Sequence, residues 1–440
     1  MASTRPGQGL AELLNNDEDA RLCRDIPDEA CRQVPGNRRL LVLSQLATAL
    51  AELMVNAKTV LPWLFQAVGA PLWLIGWLVP VRESGSMLPQ IILGAYVRQL
   101  PLRRRAWLWG AGLQAGCLVL MAAVALWLNG WLAGGLLLLL LILMSLARGL
   151  CSIAAKDVLG KTIPRRERGR VTGTGASLAG GLGLVFGLLL SRLEDIPPGG
   201  YAAILLAAAL VWGMGMLCYG RIREQPGATE GGVNGWRHGL ASLRLVREDP
   251  DFGRFLLVRT LLLSTALVTP YYVLLARDSD ASLSVLGSLV IAQGLAQFAS
   301  SWFWGRLADV SSRRVMQLAG LLAAGLGLAV WLHLGWLGGA PLPGYFALVI
   351  FVLSLAHAGV RVGRKTYLVD LAGGNRRTDY VSVSNTLMGL LLLVAGALSM
   401  LLALLSGLAV ILVFSLLGLL GVWLAQGLPD VQADPPNEDK

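Results

Sequence analysis

The sequence predicts an all-α membrane protein of twelve transmembrane helices in two bundles of six. Three observations lead there. The 440 residues are 55% hydrophobic and only 15% charged, and the mean hydropathy of +0.62 lies outside the range of soluble domains. Apolar runs long enough to cross a hydrocarbon core of about 30 Å recur along the chain. One polar connection, longer than any other, divides those runs six and six.

The elements follow in order. Residues 1–38 carry Asp17, Glu18, Asp19, Arg21 and Arg24 and no apolar h-region. They read as a polar cytoplasmic tail rather than a cleaved signal peptide. A first bundle occupies 39–220, with spans near 40–65, 69–98, 106–128, 131–156, 171–192 and 200–220. Residues 221–253 connect it to a second bundle, 254–427. Its spans lie near 254–276, 282–304, 314–336, 343–366, 380–404 and 407–427, before a tail at 428–440. In the connection Trp236, Leu240 and Leu243 recur at helical spacing opposite Arg237 and Arg244, which predicts a short amphipathic helix on the membrane surface.

Net charge is +10, but the basic residues fall in short runs between apolar spans, so a nucleic-acid partner is not expected. Arg98, Arg103, Arg104, Arg105, Lys161, Arg165, Arg166, Arg168 and Arg170 gather on one side, with Arg306, Arg313, Arg314, Arg364, Lys365, Arg376 and Arg377. The opposite side shows Arg192 and Arg277. That asymmetry places both termini in the cytoplasm of a multi-pass inner-membrane protein. Cys23, Cys31, Cys117, Cys151 and Cys218 form no CxxC pair and read as free thiols. Trp63, Trp107, Trp131 and Trp336 sit near span ends and read as interface anchors.

The two halves resemble each other. The stretch from Ser145 lies without gaps on that from Ser354, which sets Lys156 on Lys365, Arg168 on Arg377 and Gly180 on Gly389. Repeats related by an axis along the membrane normal hold substrate between them in one class of secondary transporter.

Residues 80–90, Pro-Val-Arg-Glu-Ser-Gly-Ser-Met-Leu-Pro-Gln, interrupt apolar sequence with two charges. Glu83 lies about 20 Å along a helix begun at Ala70, at ~1.5 Å per residue. Intramembrane charges mark ion or substrate paths unless they lock helices together. Arg82 and Glu83 point about 100° apart and need partners from other helices; depth suggests Arg148 for Glu83 and Glu52 for Arg82. Asn56 and Lys58 add to the first span, and Arg259, His333, His357 and Arg361 to the second half. Burial opposes ionisation of such a carboxylate and a nearby arginine favours it, so conformation can decide protonation. Glu83 is the first candidate for coupling, with Glu52 next. Lys58 and Arg148 are alternatively suited to an anionic substrate, and His357 is either a packed residue or a coupling group.

After span eight the chain reads Gly305-Arg306-Leu307-Ala308-Asp309-Val310-Ser311-Ser312-Arg313-Arg314. Over residues 40–427 the chain resembles the major facilitator superfamily, whose loop pattern is Gly-x-x-x-Asp-Arg-x-Gly-Arg-Arg/Lys. Gly305, Asp309, Arg313 and Arg314 fall on that pattern, while Val310 and Ser312 depart from it. The resemblance implies a gating loop in which Asp309 holds an arginine across the inner gate. The first-half counterpart has Arg98 in place of the acid. Of the Arg-x-x-Gln-Gly pattern of proton-linked exporters only Arg148 is present, and span five lacks their Gly-Pro pair.

The expected function is secondary active transport of a small molecule by alternating access, coupled to protons, by a monomer in the lipid bilayer. The alternatives are a transporter-like scaffold or sensor and a membrane-embedded enzyme. No GxxxxGK[ST] or HExxH motif occurs, and neither a cofactor nor a metal is expected.

Overall fold

The computed structural model describes residues 31–89, 93, 96–97, 99–192, 198–226, 244–280, 282–371 and 377–431. The first half holds α1 Val34–Met54, α2 Val60–Ala67, α3 Leu72–Ile75, α4 Leu78–Met87, α5 Arg103–Trp127, α6 Gly130–Thr162, α7 Arg165–Ser191 and α8 Pro198–Gly220. After the connection come α9 Leu245–Glu248, α10 Pro250–Leu261, α11 Ser264–Leu267, α12 Thr269–Ser279, α13 Leu283–Val310 and α14 Ser312–Trp331. The chain ends in α15 Tyr345–Leu371, α16 Arg377–Ala403 and α17 Gly407–Leu424. The expected amphipathic segment around Trp236, and most of both tails, lie outside the described residues.

Eight helical stretches among the described residues are long and apolar enough to cross a membrane. Of the other four spans expected, α7 and α13 are continuous helices, while the first two are broken for local reasons. The Asn56 side chain accepts from the Lys58 backbone N–H at 2.8 Å, offering the chain an alternative to the helical ladder between α1 and α2. Pro80 cannot donate to the carbonyl one turn earlier, and the helix divides at Gly76–Trp77 between α3 and α4. Pro270 begins α12 in the same way. The register that lays Ser145 on Ser354 also lays the start of α5, Arg103, on the start of α14, Ser312. It lays the 55–59 interruption on residues 264–268, the short α11 that separates α10 from α12.

Within the first half α5 packs on α6 and α8, α1 on α7 and α8, and α4 on α6. Within the second, α15 packs on α13 and α14, and α17 on α10, α12 and α14. The seam between the halves is made by α7 on α13, α4 on α16 and α2 on α12.

Most of the polar contacts across the seam gather at the arginine-poor end. Arg277 Nη1 donates to the Trp63 carbonyl at 2.6 Å, and its guanidinium lies 5.3 Å over the Trp63 ring. Gln66 Nε2 donates to Asp278 Oδ1 at 2.9 Å. Gly187 and Gly287 let α7 and α13 touch, since a Cβ at Gly287 would collide with the backbone of Ser191 and Gly187. Nearer the middle of the chain's two halves, Asn56 and Lys58 reach across the seam to Gln293 and His357.

Two sequence expectations change here. Trp63 is buried beneath Arg277 and Trp107 stacks on Tyr219 at 3.8 Å, so neither is an interface anchor. Trp131 and Trp336 are exposed, as anchors would be. Cys117, Cys151 and Cys218 are free thiols, but Cys31 is disulfide-bonded to a residue outside those described.

Candidate functional site

A cavity of about 370 Å³ lies on the seam. Glu52, Lys58, Arg82, Glu83, Arg148 and His357, nominated separately from the sequence, all line it. Their placement has local causes. The break after α1 turns Lys58 into the cavity. Gly85 lets α4 approach α6 so closely that an added Cβ would meet Ser145 Cβ at 2.6 Å. That contact sets Arg82 and Glu83 beside Arg148.

Of the two ion pairs expected, Glu52–Arg82 forms and Glu83–Arg148 does not. Arg148 Nη1 meets Glu52 Oε1 at 2.7 Å, and Arg82 Nη2 meets the same oxygen at 3.4 Å. Arg148 therefore pairs with Glu52 rather than Glu83, because α1 and not α4 presents its acid towards α6. The Glu83 carboxylate makes no hydrogen bond or ion pair within 4 Å among the described residues, although Lys58, Arg148, Arg364 and Arg82 all act on it electrostatically.

Lys58 Nζ lies 3.1 Å from His357 Nε2, and Thr265 Oγ1 lies 2.9 Å from His357 Nδ1. An ammonium has only donors, so Nε2 accepts and Nδ1–H donates to Thr265. The Thr265 hydroxyl then donates to the Leu262 carbonyl at 3.0 Å. This chain ties the broken helix of one half to that of the other. Asn56 Nδ2 adds a bond across the seam to Gln293 Oε1 at 3.4 Å, and Arg361 Nη2 donates to Gln297 Oε1 at 3.1 Å. Among the described residues the cavity lining holds no Phe, Tyr or Trp, and its one ring is the His357 imidazole.

The sequence reading missed Thr265, Gln293 and Gln297. The two glutamines stand four residues apart in an apolar span, a signal that was present; Thr265 gave none. Arg259 is placed elsewhere, donating to Ser384 and to Asn385 Oδ1 at 3.2 Å. His333 lies beside Tyr345.

A second pocket of about 230 Å³ lies within the first half and shares Glu52 and Arg148 with the cavity. Ser44 Oγ, Gln114 Oε1, Trp212 Nε1 and Tyr219 Oη face it buried and without partners. Such groups are costly unless water satisfies them, so the geometry suits a hydrated pocket.

In the expected gating loop, the side chains of Gly305 and Asp309 lie outside the described residues. Arg313 donates to the Leu428 carbonyl at 2.8 Å and pairs with Asp430 at 3.5 Å, inside its own half. Arg314 follows Ser311, whose hydroxyl accepts the Arg314 backbone N–H at 3.3 Å.

A family model, Major Facilitator Superfamily, matches residues 255–440. No curated protein matches the chain in sequence. The fold is similar to a POT family transporter solved with a thioalcohol-conjugated peptide, at TM-score 0.68 and 13% identity, covering 92% of this chain and 98% of that one. It is similar to the inward-open xylose transporter XylE from E. coli, at 0.66 and 12%, covering 91% and 97%. The nucleoside transporter NupG gives 0.65 and 14%, covering 89% and 98%.

Proposed function

We infer from a chain of major facilitator fold, whose second half matches that superfamily in sequence, a secondary active transporter of a small molecule working by alternating access and coupled to protons. The observation that carries this reading is the charged cavity on the seam, built from both halves and bridged by Lys58–His357. Helix boundaries in one register support two six-helix bundles, 39–220 and 254–427, with twelve spans. The loop asymmetry supports cytoplasmic termini in an inner membrane, so the contacts around Arg277 close the outer end and the cavity faces inward.

Protons enter the account through Glu83 and Glu52. Glu83 is a carboxylate without a direct partner amid four cations. Its charge state therefore decides how strongly the basic groups of the two halves repel each other. Glu52 holds Arg82 and Arg148 and meets the hydrated pocket, which gives it a water route. Alternating access follows if rocking of the halves exchanges the Arg277–Trp63 contact for one at the basic end.

The test is reconstitution into sealed vesicles holding a pH-sensitive dye, challenged with sugars, nucleosides, peptides and organic acids. The expected result is proton movement with one solute class, absent from protein-free vesicles. Silence across the panel, with the folded protein present, would favour the scaffold or sensor reading.

A further inference from the structure

The cavity has more positive charge than its acids can balance. Lys58, Arg82, Arg148 and Arg361 line it against Glu52 and Glu83. Glu52 already serves two arginines. Lys58 rests on a neutral imidazole nitrogen, and Arg361 on an amide oxygen. Arg364 stands on the same α15 face as His357 and Arg361, at i, i+4 and i+7 spacing, and makes no hydrogen bond or ion pair among the described residues. It acts electrostatically on Glu83 and Lys58. Charges inside a membrane protein are ordinarily paired, because an unpaired ion there keeps the cost of leaving water. Here at most one free carboxylate, Glu83, faces three cations.

We propose that the cavity takes a small organic anion whose oxyanion head, a carboxylate or phosphate, is held between Lys58 and Arg361. The proposal rests on the transporter reading and names its substrate class. Guanidinium and ammonium groups suit such heads, the first by its planar fork and the second as a point charge. Asn56, Gln293 and Gln297 offer amides to the polar remainder of the solute. Among the described residues the wall holds no Phe, Tyr or Trp, and the His357 imidazole is engaged by Lys58 and Thr265, so a flat or sugar-like solute finds little to stack on. A volume of about 370 Å³ limits the solute to a small molecule. The two cations come from opposite halves, so an anion between them draws the halves together, as a transported substrate must.

The experiment is thermal unfolding of the purified full chain at constant ionic strength. Its probes are succinate, citrate, glycerol 3-phosphate, glucose, uridine, choline and chloride, each at about 10 mM. Succinate or citrate on one side and glycerol 3-phosphate on the other distinguish a carboxylate from a phosphate site. The expected result is a midpoint raised by several degrees with organic anions alone. Lys58→Gln and Arg361→Gln should each weaken that effect about tenfold or more. Each ligand shift is read against the variant's own unliganded midpoint, because Lys58→Gln gives up the bond to His357 and Arg361→Gln the bond to Gln297. If one fails to fold, the other carries the test.

An equal shift with chloride would mean that any counterion suffices and would overturn the proposal. So would a shift with glucose, uridine or choline that survives both substitutions. Vesicle flux separates the two readings. Anion binding without flux leaves the anion site standing and removes transport. Accumulation of a neutral or cationic solute by the double variant keeps transport and removes the anion site.

Discussion

Glu52 and Glu83 are the two carboxylates of the cavity, and their surroundings assign them different work. Glu52 is held directly by Arg148 and Arg82, so Glu52→Gln strands two guanidinium groups. Loss of charge-assisted hydrogen bonds of this kind costs about 1.5–3 kcal/mol. Glu83→Gln breaks no direct contact and is expected to cost less than about 1 kcal/mol. Thermal or denaturant unfolding of the two variants checks the order, and equal losses would show that Glu83 has a structural partner. The sequence made the membership of this site legible, because an ion in an apolar run has few explanations. It gave one pairing, Glu52 with Arg82, but not the partner of Arg148. Partner choice depends on which face of α1 and α4 meets α6, and span ends fix depth along a helix but not rotation about it.

At the scale of elements, the ends of helices are clamped by acids that follow each half. Glu224, whose side chain is fully buried, accepts from the backbone N–H groups of Arg103 and Arg104 at 3.0 and 2.8 Å and pairs with Lys161 at 3.0 Å. An anion at the start of α5 also complements the helix dipole. Asp430 performs a related task at the start of α14, accepting from Ser311 Oγ at 3.0 Å and pairing with Arg313. Glu224→Gln is expected to destabilise the protein by about 1.5–3 kcal/mol, read as a lowered unfolding midpoint. An unchanged midpoint would make the clamp an idle contact. Helix existence was legible in hydropathy; the breaks were not. Asn56 disrupts the first span through a hydrogen bond to Lys58 that polarity alone does not announce, whereas Pro80 was visible as a weak point. At the arginine-poor end of the seam, Arg277→Ala removes a charge-assisted bond and a contact over Trp63. That loss of about 1.5–3 kcal/mol shifts the balance of closed and open states roughly tenfold or more. A membrane-impermeant thiol reagent on Ser279→Cys, in a cysteine-free background, should label faster once Arg277 is replaced. Unchanged labelling would deny Arg277 a gating role.

For the whole molecule, the two halves, their register and the seam form one proposal, and its parts are separable. Orientation is tested by labelling Glu230→Cys in intact cells, which should stay silent to an impermeant reagent; ready labelling would invert the topology. The proposed division into halves was drawn from loop lengths, charge and the Ser145–Ser354 register, all written locally along the chain. The closed arginine-poor end was not, because Trp63, Arg277, Gly187 and Gly287 come together only after both halves have folded. The central claim, that the cavity couples solute to protons through Glu83, is tested most directly by comparing Glu83→Gln with the parent in sealed vesicles. The solute is whichever of the panel the parent accumulates against its gradient under an imposed pH difference. The variant is expected to exchange that solute across the membrane while failing to accumulate it at any pH. Accumulation by Glu83→Gln equal to the parent at every pH would contradict the account and pass the coupling role to Glu52.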